Sequence, residues 1–195
     1  NLSKFDAAFR YSPFTTLIDN TDNAITSNIT TIKLSKDFTP TLNTATKYTI
    51  PFSNPLYNPH SGHDADSGGI LSSSGCKISG NTNEMFLDDD GSGNVRLYYL
   101  ASGIRTYINS TQGTITYTSG QITINSLNVA SISNIRGSTS TVIELTVTPD
   151  SNDVVPVRDQ IVEIDIANST INVTADTFVG GSADAGVGYT TTSSY

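Results

Sequence analysis

Gly113-Thr114-Ile115-Thr116-Tyr117-Thr118-Ser119-Gly120-Gln121-Ile122-Thr123-Ile124 is the stretch on which the fold turns. Ile115 and Tyr117 alternate with Thr114 and Thr116, and Ile122 and Ile124 alternate with Gln121 and Thr123, which is the period of two of a half-buried strand. Thr118-Ser119-Gly120 between the runs is a Gly-containing turn, so the stretch predicts an antiparallel hairpin. Upstream, Glu84-Met85-Phe86-Leu87 and Val95-Arg96-Leu97-Tyr98-Tyr99-Leu100 flank Asp88-Asp89-Asp90-Gly91-Ser92-Gly93-Asn94 and predict a second hairpin, with the Asp run in its turn.

The same period recurs outward. Ile32, Leu34 and Phe38 mark a strand that Pro40 stops, and Tyr48, Ile50 and Phe52 mark another. These two are expected to be neighbours, joined by a loop over residues 39–46. Further strands are expected at 142–148, with Ile143, Leu145 and Val147 inward, at 160–166, with Val162, Ile164 and Ile166 inward, and at 170–175. Ser12 as cap, Pro13 in the first turn, and the stripe Phe14, Leu17, Ile18 and Ile25 predict a helix near 13–26. Phe5, Ala8 and Phe9 predict a shorter helical turn before it. The fold class is therefore mainly β, with antiparallel hairpins in sandwich-like sheets and a short helical segment giving an α+β character at the N-terminal edge.

Composition agrees. Thr, Ser, Asn and Ile dominate, Trp is absent and Glu stands only at Glu84, Glu144 and Glu163, a balance that suits strands better than helices. The chain has 195 residues and a net charge of −8, with ten basic residues scattered along it. Nucleic-acid grooves and anionic membrane surfaces need clustered Lys/Arg, so neither partner is expected. No apolar run is long enough to span a bilayer. The lone Cys76 excludes an internal disulfide and a Cys-x-x-Cys metal site. The first residue is Asn1, not Met, and the expectation is a piece of a longer protein. Three regions are expected: a helical segment over 1–27, a mainly β region over 28–178 that is one domain or two small ones, and a Gly/Ser/Thr-rich arm over 179–195 that is flexible by itself.

Candidate chemistry is sparse. His60 and His63 precede Asp64 and Asp66, and imidazole with carboxylate is a legitimate ligand set. The Gly/Ser-rich surroundings offer few side chains to hold the second ring nitrogen of each imidazole, so a solvated loop is the reading preferred to a metal site. Asp88 to Asp90 fail as a calcium loop, because counting back from Gly91 puts Phe86 at the first ligand position. No Gly-x-Ser-x-Gly lies between a strand and a helix, Cys76 lacks the context of a nucleophile, and no phosphate-cradling loop precedes a helix. The chain is not expected to be an enzyme, and no cofactor is expected. Asn-x-Thr triplets at Asn28, Asn109, Asn168 and Asn172 follow from the composition.

One resemblance runs along the chain. The stretch from Arg10-Tyr11-Ser12-Pro13-Phe14 to Asn28-Ile29-Thr30 resembles the helix-to-strand passage in the C-terminal half of the baseplate wedge subunit of T-even type phages, within the baseplate J-like family of contractile tails. Three later blocks share its order: Ile50-Pro51-Phe52-Ser53-Asn54-Pro55-Leu56-Tyr57-Asn58-Pro59-His60, the hairpin 113–124, and the run from Thr148-Pro149-Asp150 to Ile164-Asp165-Ile166. The resemblance implies a structural virion protein of the tail baseplate, assembled in the host bacterial cytoplasm. It further implies a homodimer that contacts other wedge proteins, joins neighbouring wedges into a ring and responds to sheath contraction. The expected interface residues are Phe14, Leu17, Ile18 and Ile25 of the helix and Tyr189 and Tyr195 of the arm, against the alternatives that the helical stripe packs on the chain's own sheet and that the arm is a frayed tail. The alternative is a carbohydrate-binding or adhesive β domain of a tail-fibre or cell-surface protein, with Tyr98, Tyr99, Tyr107 and Tyr117 as sugar platforms.

Overall fold

A computed structural model describes residues 7–156 and 161–175 of the chain. The hairpin that decides the fold is present: a 13-residue strand, β7 (Ile104–Thr116), returns through Tyr117–Gly120 into β8 (Gln121–Leu127), with Ile115 opposite Ile122. Gly120 is required at its turn. Its φ is +66°, and a Cβ there would run into the Asn54 carbonyl oxygen. The second hairpin joins β5 (Met85–Asp89) to β6 (Asn94–Ala101).

These strands are the middle of a seven-stranded antiparallel sheet. β2 (Thr46–Pro51) borders β8 at one end, and β4 (Cys76–Ile78) and β9 (Val129–Ile132) follow β5 at the other, giving the order β2-β8-β7-β6-β5-β4-β9. A second, three-stranded sheet has β10 (Ile143–Val147) between β1 (Leu34–Phe38) and β3 (Leu71–Ser73). The strand expected at 142–148 is therefore central, and Ile143, Leu145 and Val147 are fully buried. Both sheets feed one contiguous core, in which these three residues and Leu71 join Met85, Leu87, Val95, Leu97, Ile122 and Ile124 of the larger sheet. Alternation explains the sidedness: Val95, Leu97 and Tyr99 of β6 face the core, while Arg96, Tyr98 and Leu100 face the other way.

Several sequence expectations are corrected. β1 and β2 do not pair in one sheet; they lie in different sheets and meet only through side chains, with Phe38 packed on Tyr48 at 5.0 Å between ring centroids, because each finds its ladder partner far along the chain, β10 and β8 respectively. The helix α1 (Tyr11–Asp19) has nine residues and stops before the Thr21 to Ile25 stretch, where Asp22 accepts the Ala24 N–H in a turn instead. Ser12 lies inside this helix and does not cap it. Phe9 is extended rather than helical, exchanging both backbone hydrogen bonds with Val154, and Phe5 lies outside the described residues. The described residues 161–166 and 170–175 form no strand. A single-turn 3₁₀ segment occupies Ile166–Asn168, and Ile164, Ile166, Ile171 and Val173 are exposed, because the alternation there has no neighbouring strand to meet. Asp88 and Asp89 belong to β5 rather than to the turn.

Candidate functional site

Two surfaces carry the features from which a function can be argued, and the first is the helix. Phe14 is half-buried and packs against Phe9 with ring centroids 5.4 Å apart, Ile18 and Ile25 are half-buried, and Leu17 is 70% exposed. No residue of α1 is buried. Its apolar stripe is thus shared: Phe14 faces the chain's own Phe9, and Leu17 faces outward. Tyr189 and Tyr195 lie outside the described residues.

Asp153 fixes the start of the helix. Its Oδ1 accepts the Tyr11 backbone N–H at 2.9 Å and its Oδ2 accepts from Arg10 Nη1 at 2.9 Å. This carboxylate caps the first amide of the helix from outside it, upstream of the amides that Ser12 was expected to cap. The Tyr11 N–H, followed by Arg10, holds the Asp153 carboxyl below its ordinary value. Tyr11 Oη donates to the Thr30 carbonyl at 3.0 Å, so the segment after the helix is tied back to its first turn.

The second feature is a polar cluster where β5, β6 and β7 meet. Asp88 and Asp89 are 1% and 0% exposed, although both were read as turn residues. Asp89 Oδ1 accepts the backbone N–H groups of Ile70 and Leu71, both at 2.7 Å, and Oδ2 accepts Tyr117 Oη at 2.6 Å and the Gly91 N–H at 3.1 Å. A buried carboxylate needs such a full set of donors. Because Ile70 and Leu71 lead into β3 while Asp89 ends β5, this one side chain joins the two sheets. Burial, and after it the bond to Asp89, pushes the Tyr117 hydroxyl far up.

Asp88, one residue back, points to the opposite face. Its Oδ1 accepts Arg96 Nε at 2.8 Å, its Oδ2 accepts Tyr107 Oη at 2.8 Å, and Arg105 Nε stands 3.6 Å from Oδ2. Burial raises the Asp88 carboxyl, and the bonds from Arg96 and Tyr107 oppose that rise. Burial, and then the Asp88 bond, pushes Tyr107 up to about 12. The Arg96 guanidinium lies 4.3 Å from the centre of the Tyr107 ring, and that of Arg105 lies 5.2 Å from the Tyr98 ring. Beside them opens a shallow cleft of about 510 Å³, walled by Arg96, Tyr98, Leu100, Ile104, Arg105 and Tyr107.

The loop over 58–69 is more tightly held than its composition predicts. The Gly62 N–H and the Asn58 side chain both donate to the Gly91 carbonyl, and the Ala65 carbonyl accepts Arg96 Nη2 at 2.9 Å. His60 and His63 stack edge to face with centroids 5.1 Å apart, and His63 Nε2 lies 3.3 Å from Asp64 Oδ2. Among the described residues no group of three or more His, Cys, Asp and Glu is arranged to hold a metal ion. The tyrosines expected as sugar platforms are committed elsewhere. Tyr98 is buried under Arg105, Tyr107 and Tyr117 bond Asp88 and Asp89, and Tyr99 packs on the core. They form no open aromatic row, and the adhesive reading is not favoured.

Residues 1–37 match the family model described as baseplate structural protein gp6, C-terminal domain III. Over these residues the chain is similar to a phage baseplate structural protein. The matched stretch contains α1 and nearly all of β1, including the whole Arg10 to Thr30 passage. The blocks at 50–60, 113–124 and 148–166 lie beyond it. Comparison with curated proteins and with solved structures gave no match. Among the described residues no helix is long and apolar enough to cross a membrane.

Proposed function

We propose that the chain is a non-enzymatic structural subunit of a phage tail baseplate, of the J-like wedge type. It self-associates, joins neighbouring wedges into the baseplate ring and follows the rearrangement of that ring when the sheath contracts. Its place is the tail baseplate of the virion, after assembly in the host cytoplasm. One observation carries this reading: the stretch similar to the baseplate family holds a helix that is pinned at its start by Asp153 and Arg10 yet buries none of its own residues.

A helix normally buries its apolar stripe against something. Here Leu17 is offered outward from a fixed base, and helix-to-helix pairing across a two-fold axis would cover it together with the exposed flanks of Phe14 and Ile18. At ~25 cal/mol per Å² such burial contributes several kcal/mol before the costs of association. Light scattering over a tenfold concentration range tests this. The chain is expected to exceed monomer mass, and Leu17→Asp, at a site too exposed to matter for folding, is expected to shift the mass downward with circular dichroism unchanged. A strictly monomeric chain over the whole range would remove self-association from the reading.

A further inference from the structure

We infer that the N-terminal segment, residues 7–33, exchanges between two copies of this chain, so that Phe9, Arg10 and Tyr11 of one copy dock on Asp153 and Val154 of the other. This deepens the proposed function and rests on its reading of the chain as a subunit that contacts copies of itself. The occupant is named by contacts already in place within one chain. Phe9 pairs antiparallel with Val154 through both backbone hydrogen bonds, Arg10 answers Asp153 in charge, and the Asp153 carboxylate takes the Tyr11 N–H. A second copy of the segment fits the same site in the same register and with the same charge pairing.

The segment is separable from the body. Among the described residues no other hydrogen bond or ion pair joins 7–33 to the rest of the chain. The connector between α1 and β1 contains no helix or strand and ties back to the segment itself, with Tyr11 Oη on the Thr30 carbonyl and the Asn28 amide on Asp19 and the Thr15 carbonyl. Phe9 and Val154 are buried, yet both stand outside the core that the two sheets share, so that core is complete without the segment. The receiving loop is held by the body alone. The Asp150 N–H donates to the Pro55 carbonyl at 2.9 Å, the Val155 N–H to Asn54 Oδ1 at 3.3 Å and the Asp153 N–H to Ser151 Oγ at 3.1 Å. Undocking therefore leaves both halves shaped to re-engage, and a unit fixed by so few bonds opens locally without global unfolding. Docking on a neighbour restores every bond to the body, so the costs are straightening the connector and association itself, and neighbours held in a ring reduce the second. Residues 20–33, fully extended at ~3.3 Å per residue, reach about 46 Å, which is about three times the ~15 Å radius of gyration of a body of this size. A reciprocal exchange runs two connectors past each other at the two-fold axis and gives Ile29, exposed in the closed chain, a surface to meet.

Disulfide trapping in the full chain tests the exchange. A hydrogen-bonded antiparallel pair sets its Cα atoms about 5.5 Å apart, within disulfide range. The double variant Phe9→Cys with Val154→Cys thus closes a bond whichever copy supplies the segment, and the mass of the product tells which. The native Cys76 is buried, with burial pushing its thiol up to about 11, and stays out of the reaction. Oxidised at high protein concentration, the double variant is expected to give covalent dimer, at least fivefold more than after hundredfold dilution. A 1:1 mixture of the two single variants is expected to give at least fivefold more covalent dimer than either alone. Arg10→Asp and Asp153→Arg, at exposed positions, supply a second pair. Each repels its own docking site, and mixing them is expected to raise the dimer fraction at least threefold over either alone; if the cysteines do not close, this pair decides. An intramolecular bond at every concentration, or mixtures no better than their components, overturns the inference. If light scattering then still shows a dimer that Leu17→Asp dissociates, self-association stands and only the exchange falls. A monomer at every concentration ends both.

Discussion

At the residue scale the side chains that matter most are Asp88 and Asp89, and the sequence points away from them. A triple Asp before Gly-Ser-Gly reads as a turn because Asp tolerates left-handed dihedrals and bonds its own backbone. Asp90 does so, accepting the Ser92 and Asn94 N–H groups at 2.8 and 2.9 Å. Its two predecessors differ because, apart from the Gly91 N–H on Asp89, their partners come from Ile70, Leu71, Arg96, Tyr107 and Tyr117, none of them adjacent in sequence. The nearest clue was Gly68-Gly69, where a Cβ would run into Arg105 at position 68 and into the Asp89 carboxylate at position 69. Tyr117→Phe removes one of four donors to Asp89 without changing shape. A hydrogen bond to a buried charge makes this cost about 2 kcal/mol, read as a lower urea midpoint at an unchanged slope. A loss below about 0.5 kcal/mol would mean that the remaining three donors satisfy Asp89 unaided.

At the element scale, hairpins were legible and ladders between distant strands were not. Both the 84–100 and 113–124 hairpins carry their turn residues between their strands, so local sequence specifies the pairing. The partnership of β1 with β10 closes over more than a hundred residues, and nothing local marks it; proximity along the chain wrongly suggested β2. The helix was legible in kind but not in its bounds: the turn at Asp22 ends it early, and its capping group, Asp153, stands 142 residues from the amide it accepts. That cap sets a pH dependence. The Asp153 carboxyl is lowered in the folded chain, so its contribution is fully present above the ordinary value of 3.8 and is lost as pH falls through the lower folded value. Hydrogen exchange of the α1 amides is expected to be constant from pH 7 down to about 4, after correction for the intrinsic rate, and to accelerate below it, ahead of β5 to β8. Asp153→Asn should accelerate exchange at neutral pH and flatten the profile. Protection that tracks the global transition instead would mean that the helix opens only with the whole domain.

At the scale of the whole molecule the chain is divided between a two-sheet body, whose core is complete, and flanking segments that do not complete themselves. Ile143, Leu145 and Val147 have no exposure, whereas Ile29, Ile171 and Val173 are 98%, 89% and 90% exposed. Sequence periodicity cannot separate these groups, because the alternation that buries a strand's face is the same whether the covering layer is in the chain or in a partner. The difference shows only once every strand of the body has been given its neighbours and 161–175 is left with none. It follows that the two groups answer differently to substitution. Leu145→Ala opens a cavity in the shared core and should cost about 3 kcal/mol. Ile171→Ser with Val173→Ser exposes nothing new and should leave the melting temperature of dilute protein unchanged, since exposed substitutions stay within about 0.5 kcal/mol. If these residues serve an assembled state, the double variant is expected to lower the average mass at high concentration while the dilute melting temperature stays put. A melting temperature that falls with the double variant at every concentration would instead place the segment in the chain's own fold, making the flank a late-docking part of the body rather than a surface for its neighbours.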